Sequence, residues 1–199
     1  DSRRMIITDN VFLKGEPRTK LTTEKVNAEV NAEYADCEAV ITQGFVSETE
    51  DGEPTVLGRG GSDYTASLIG MAVGATRIEI WTDVDGVKTA DPRKVEGTRS
   101  LERISFEEAA EMAHFGAKVL HPMTIEPAVR KNIPIYVLNS MNPDGKGTVI
   151  LQNSKIDDGV KSVSSKENIL VINIFSTKMI NAAGFLMSVF EIFSRNNVS

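Results

Sequence analysis

The sequence predicts an α/β fold, a three-layer sandwich around a mostly parallel sheet, followed by a smaller and incomplete strand-and-helix unit. Three observations predict it. Between about Ala39 and Ile172 short β-rich runs alternate with runs of helical period, which calls for crossover connections. A glycine-rich turn, LGRGGSD at 57 to 63, leads directly into one of the helix-like runs. Near Lys155 the alternation stops, and a polar stretch precedes one apolar run and one helix.

Taken in order, MIITDN (5 to 10) reads as strand and turn, and the polar run to Asp36 as a loop or edge region. AVITQGF (39 to 45) is a short apolar run ended by Gly44. SDYTASLIGMAVGA (62 to 75) carries apolar and small residues at helical spacing, with Ser62 or Asp63 as N-cap. RIEIWTDV (77 to 84) alternates and is rich in β-formers. ISFEEAAEMAHFGAKVL (104 to 120) opens with Ser105 and Glu108 at capping-box spacing and continues with Ala109, Met112, Ala113 and Phe115 on nearby faces. Pro122 ends or kinks that helix. MTIEPAVRKN (123 to 132) predicts a short helix, and IPIYVLN (133 to 139) a strand closed by the turn NPDGKG. After NSKIDDGVKSVSSKEN comes an apolar strand, ILVINIF (169 to 175). The helix that follows has Phe185, Leu186, Val189, Phe190, Ile192 and Phe193 on one broad apolar face. One strand and one helix in about 45 residues cannot close a core, so this piece needs further chain or a partner.

Composition narrows the function. The chain has 199 residues, 41% hydrophobic and 25% charged, enough for one or two cores. Its net charge of −6 and scattered basic residues provide no electrostatic footprint for nucleic acid and no polybasic patch for an anionic membrane. A small-molecule substrate is the default. The run at 169 to 175 is too short to span a bilayer and contains Asn173, so the protein reads as soluble. Cys37 is the single cysteine, which excludes an internal disulfide framework, places the chain in the cytoplasm and predicts a buried apolar side chain. The opening DSRRMIIT has neither an initiator Met nor a leader, and NNVS ends the chain just after a helix, so both ends read as cuts through a longer protein.

Three stretches carry candidate chemistry. Gly58, Gly60 and Gly61 allow the backbone to approach a ligand, and the helix that follows offers N–H groups and a positive dipole end to an anion. Arg59 adds a donor fork for a carboxylate or phosphate, and Asp63 a negative charge for an amine or a lysine. The alternative is a tight turn with an aspartate N-cap. WTDVDGVKTADPR (81 to 93) follows a strand end, where open α/β sheets bind ligands. Its Asp83, Asp85 and Asp91 suit Mg2+ or a ribose, and its basic residues a polyphosphate; the alternative is a solvated turn whose charges pair with each other. In FGAKVLHP (115 to 122), Lys118 sets an ammonium against a phosphate or is solvated surface. His114 and His121 have no metal-site spacing and read as structural, and no metal-ligating cluster is predicted.

Together ITQGF (41 to 45), LGRGGSDYTA (57 to 66), EIWTDVDGV (79 to 87) with TADPR (89 to 93), RISFEEAAEMAHFGAKVLHP (103 to 122) and the IPIYV strand leading to Gly147 and Thr148 resemble aspartate kinases of the amino-acid kinase superfamily. The resemblance implies a partial kinase catalytic domain over 1 to 152, with its substrate side to about residue 76 and its nucleotide side beyond. A linker and an incomplete ferredoxin-like ACT regulatory domain would then occupy 153 to 199. It implies transfer of the γ-phosphoryl of Mg-ATP to the β-carboxylate of L-aspartate, the first step toward lysine, threonine and methionine. ATP and Mg2+ are the implied cofactors. By the same resemblance Asp63 is the catalytic carboxylate, and Phe45, Arg59, Gly60, Gly61 and Ser62 bind the amino acid. Thr82, Asp83, Lys88, Arg93 and Lys118 bind the nucleotide, and Met179, Asn181, Gly184, Phe185 and Leu186 would hold a lysine or threonine effector. Assembly into homo-oligomers through ACT domains is implied as well.

Three departures accompany the resemblance. The family's lysine-bearing, glycine-rich N-terminal motif and its substrate-binding glutamate segment have no counterpart here, so these 199 residues alone are expected not to turn over. Position 88 is Lys where many relatives carry an aromatic residue, and the ACT-like tail lacks its later strands. Two other readings stay open on the sequence: a superfamily member with a different acceptor, and a non-catalytic chain that binds an amino acid and regulates a partner.

Overall fold

The structure, a computed structural model, describes residues 1–33, 36–114, 120–153, 159–165, 167–175 and 184–196. The chain divides into two compact units, Asp1–Lys166 and Glu167–Ser199. The first extends past residue 152, where the sequence places the change from catalytic domain to linker.

Unit one opens with a 3-10 turn at Ser2–Arg4 and a three-stranded sheet of β1 (Ile7–Thr8), β2 (Val46–Thr49) and β3 (Pro54–Val56). β1 runs parallel to β2, and β3 antiparallel to β2. Helices α1 (Thr19–Glu33) and α2 (Gly61–Val73) pack with this sheet around Met5, Ile6, Val26, Leu57, Tyr64, Leu68 and Met71. A second sheet follows, made of β4 (Ile78–Thr82), β5 (Arg103–Ser105), β6 (Ile135–Asn139) and β7 (Thr148–Leu151) in the order β4-β6-β7-β5. β4 pairs parallel with β6 and β5 parallel with β7, while β6 and β7 are antiparallel. Among the described residues the pairing is thus mostly parallel. Helices α3 (Phe106–His114) and α4 (Pro122–Lys131) cover this sheet, with Ile80, Ile104, Ile135, Val137 and Ile150 in its core. The two cores meet along α2 and α4, where Ala66 of α2 packs on the second core and Met123 of α4 on the first.

Buried hydroxyls tie these elements together. In the first sheet the Thr55 hydroxyl lies 2.8 Å from that of Ser47 and 2.7 Å from that of Thr8, and Thr8 also donates to the Asp9 carbonyl at 3.0 Å. Thr22 of α1 accepts the Ile7 N–H at 3.1 Å, which docks the helix on β1. In the second sheet Thr148 accepts the Val87 N–H at 2.8 Å and donates to the Leu101 carbonyl at 2.6 Å. Gly86, at φ +86°, lets the chain pass so close to Thr148 that a Cβ would collide with its hydroxyl.

Several expectations are corrected. The polar run before Asp36 holds α1 rather than only loop, because a narrow stripe with Thr22 and Val26 buried and Val30 half-buried suffices to dock it. Residues 39–45 form no strand, and Ile41 is 98% exposed. Cys37 is exposed, not buried. The N-cap of α2 is Gly60, so Ser62 and Asp63 lie inside the first turn. Ser105 and Glu108 do form the reciprocal capping box, at 3.1 and 2.7 Å. Pro122 opens α4 at its first position, where the missing N–H costs nothing, and residues 115–119 fall outside the described set.

In unit two α5 (Phe185–Arg195) is helical as predicted and has no buried residue. Residues 169–175 form no strand, since no edge pairs with them among the described residues. No described helix is long and apolar enough to cross a membrane.

Thr148→Val removes the acceptor for the buried Val87 N–H and the donor to Leu101. We expect a loss of about 1 to 3 kcal/mol in urea unfolding followed by circular dichroism, and much less for Thr148→Ser, which keeps the hydroxyl.

Candidate active site

The glycine turn and the start of α2 build one half of the site. Gly60 takes φ +69° as N-cap, and no side chain caps the helix, which leaves its positive end open to an anion. A Cβ on Gly60 would fall 2.6 Å from Cβ of His121, itself the N-cap of α4. The N-termini of two helices therefore touch here. Arg59 is exposed beside them, with no hydrogen bond or ion pair among the described residues.

Phe45 packs against the same turn, since a Cβ on Gly61 would lie 2.8 Å from its ring. Its backbone sits at φ +76°, a conformation that costs a bulky residue about 1 to 3 kcal/mol and that collects at functional sites. Two bonds hold it there: its N–H donates to the Thr65 hydroxyl at 3.1 Å, and its carbonyl accepts the Leu57 N–H at 3.0 Å. Thr65 in turn donates to the Gly61 carbonyl at 2.8 Å, so Phe45 and the helix start form one hydrogen-bonded unit. Asp63, in the first turn, is half-buried, and burial pushes its carboxyl above the ordinary value of 3.8.

The other half is a cleft of about 520 Å3 beyond the C-terminal end of β4. It brings together Thr82, Asp83, Lys88 and Arg93. Asp83 accepts the Thr82 hydroxyl at 3.2 Å. Asp85 accepts the Asn139 amide at 2.7 Å, and this bond holds its carboxyl below the usual range. Arg93 grips Asp91 through Nε at 3.0 Å and a terminal nitrogen at 2.8 Å. Those hydrogen bonds, first the side-chain and then the backbone contact, lower the Asp91 carboxyl to about 2, so the pair stays charged at any pH above about 4.

Among the sequence-predicted site residues, Phe45, Arg59, Gly60, Gly61, Ser62 and Asp63 gather at the start of α2, and Thr82, Asp83, Lys88 and Arg93 in the cleft. Lys118, Met179 and Asn181 lie outside the described residues. Gly184 is the N-cap of α5 at φ +84°, followed by Phe185 and the exposed Leu186. No group of three potential metal ligands forms among the described residues. Sequence reasoning missed His121 at the helix junction, whose signal was the His-Pro pair read as a helix stop. It also missed Met112, read as part of a helix face, and the run from Ser162 to Ser165, read as part of the linker and ACT-like tail; all of these line the cleft.

Residues 3–139 match the amino acid kinase family. The chain is 40% identical over 199 residues to the lysine-sensitive aspartokinase 3 of Escherichia coli strain K12, covering 100% of this chain and 44% of that protein. It is 46% identical over 146 residues to the chloroplastic aspartokinase 3 of Arabidopsis thaliana, covering 73% of this chain and 26% of the plant protein. The crystal structure of E. coli aspartokinase III in complex with aspartate and ADP in the R-state superposes with a TM-score of 0.83 at 38% identity, over 100% of this chain and 44% of that one. The chain thus spans less than half the length of the E. coli relative. A glycine-rich turn opening α2, a cleft at the C-terminal end of β4 and a family match running through both lead to one assignment: this chain belongs to the amino acid kinase family.

Proposed function

We propose that the natural polypeptide carrying this chain is an aspartate kinase, moving the γ-phosphoryl of ATP to the β-carboxylate of L-aspartate and releasing ADP and 4-phospho-L-aspartate. The observation that carries this reading is the likeness, over the whole chain, to a relative crystallised with aspartate and ADP. A carboxylate oxygen attacks the γ-phosphorus as the bond to the β-phosphate oxygen breaks, so no proton need move. The protein's task is then positioning and charge neutralisation.

Arg59 fits the substrate's α-carboxylate, which the two touching helix N-termini also favour. Phe45 and Ser62 wall the amino-acid pocket beside Gly60 and Gly61. Asp63, kept from full hydration, holds a cationic group of the substrate or of a lysine donor. On the nucleotide side Lys88 and Arg93 meet phosphates, and Thr82 and Asp83 the nucleotide or its metal; Lys118 has the same role by resemblance. Mg2+, when bound, neutralises phosphate charge and needs only one or two protein carboxylates, a requirement the cleft-lining Asp83 fits. The lysine sensitivity of the E. coli relative supports lysine as effector, with the start of α5 at Gly184, Phe185 and Leu186, and the preceding Met179 and Asn181, as its site. Pairing of two copies through the unit that holds α5 accompanies this reading.

The test is ADP release by the natural polypeptide with Mg-ATP and L-aspartate, with glutamate and uridine monophosphate as control acceptors. Turnover with aspartate alone is expected, and its absence would sink the assignment. A second expectation concerns Asp63→Asn. Since burial raises the folded-state pKa of Asp63, the charged form costs stability, which is greatest below the unfolded-state value and falls as pH rises through the folded one. The variant should lose about 100-fold or more in kcat, yet melt no lower than the parent at pH 7.

A further inference from the structure

We propose that residues 161–165 form part of the nucleotide site: a strap that positions the loop bearing Lys88 and Arg93 and presents Ser164 to the nucleoside portion of the ligand. This rests on reading the cleft beyond β4 as the nucleotide site.

Four bonds hold the strap. Lys161 pairs with Glu108 at 2.8 Å, Ser162 donates to the Lys88 carbonyl at 3.2 Å, the Val163 N–H donates to the Thr89 carbonyl at 2.9 Å, and Lys94 donates to the Ser165 hydroxyl at 3.1 Å. On its other side the same piece of loop is bonded to residues 99 and 100: Lys88 bridges Ser100, and the Thr89 N–H donates to the Arg99 carbonyl at 2.9 Å. Lys88 and Thr89 therefore sit like the central strand of a narrow three-stranded ribbon, with the strap as one edge. A loop bonded on one side only would leave Lys88 and Arg93 free to swing away from a polyphosphate.

Burial alternates from 162 to 165, with Ser162 and Ser164 half-buried and Val163 and Ser165 exposed, as an extended segment requires. All four of these residues line the cleft, so the strap is a wall as well as a brace. The two walls differ in charge. The loop wall carries Asp83, Lys88, Asp91 and Arg93, whereas residues 162 to 165 offer hydroxyls and one valine. A neutral wall suits the uncharged base and ribose, and a charged one the phosphates. Of the three hydroxyls, Ser162 is engaged with Lys88 and Ser165 with Lys94, while Ser164 has no partner among the described residues. Ser164 is thus the hydroxyl left over to contact a ligand, and Ser162 is a positioning residue.

The experiment is ADP binding by titration calorimetry, with steady-state KM for ATP and for aspartate, on the natural polypeptide carrying Ser164→Ala, Ser164→Thr or Ser162→Ala. Loss of one hydrogen bond predicts about threefold to tenfold weaker ADP binding and a matching rise in KM for ATP for both alanine variants. KM for aspartate should hold, and Ser164→Thr should recover affinity. If Asp83→Ala abolishes ADP binding while both alanine variants bind like the parent, the strap proposal is overturned and the nucleotide site stands. Equal weakening in Ser164→Ala and Ser164→Thr also overturns it, by exposing a packing defect. If the parent binds no ADP, the nucleotide reading falls and the strap proposal with it.

Discussion

The hydroxyl of Thr148 is the constraint on which the cleft beyond β4 depends. β4 ends at Thr82 and the chain does not re-enter the sheet until Arg103, so the intervening loop must be held by something other than strand pairing. Thr148, on β7, supplies that hold by bonding Val87 near the loop's start and Leu101 at its end. The closeness this needs is why glycine stands at 86. Lys88 and Arg93, proposed to meet the polyphosphate, both lie within this loop.

The glycine turn at the start of α2 depends on a different junction. α2 and α4 belong to different cores, yet they pack along each other and touch at their N-caps, Gly60 and His121. The contact fixes where the two positive helix ends lie. A side chain at position 60 would force the helices apart, and with them the two sheets that each one covers. Phe45 is locked to the same place through Thr65, so the strained backbone at Phe45 is held by α2 rather than by a strand of its own.

Much of this was legible in the sequence, for identifiable reasons. Ser105 and Glu108 were readable because a capping box is a local code, and β4 and β6 because buried strands concentrate Ile and Val. The residues of the glycine turn and of the 81 to 93 stretch were readable as groups for the same reason: each group is contiguous. What sequence could not supply was long-range. α1 has too few apolar residues to announce itself, and it is Val26 and Val30 against the first core and Thr22 against Ile7 that explain it. The apolar run at 39 to 45 looked like a strand but pairs with none of the described strands. Ser162 to Ser165 read as part of the linker and tail because nothing local reveals that their partners are Lys88, Thr89 and Lys94. In TADPR the reading of charges paired with each other holds, since Arg93 is bonded to Asp91, and both residues also line the cleft.

The hydroxyl cluster of the first sheet joins its three strands through side chains alone. Ser47 of β2, Thr55 of β3 and Thr8 of β1 form a chain with Thr55 in the middle, within hydrogen-bond distance of both neighbours, and Thr8 also reaches the Asp9 carbonyl. Its members are consequently unequal. Ser47, at one end, touches one hydroxyl of the chain, so alanine there breaks one link and leaves the contact between Thr55 and Thr8 in place. Thr55 touches both, so valine of nearly identical shape breaks both links at once. The end of the chain therefore tolerates substitution where its centre does not.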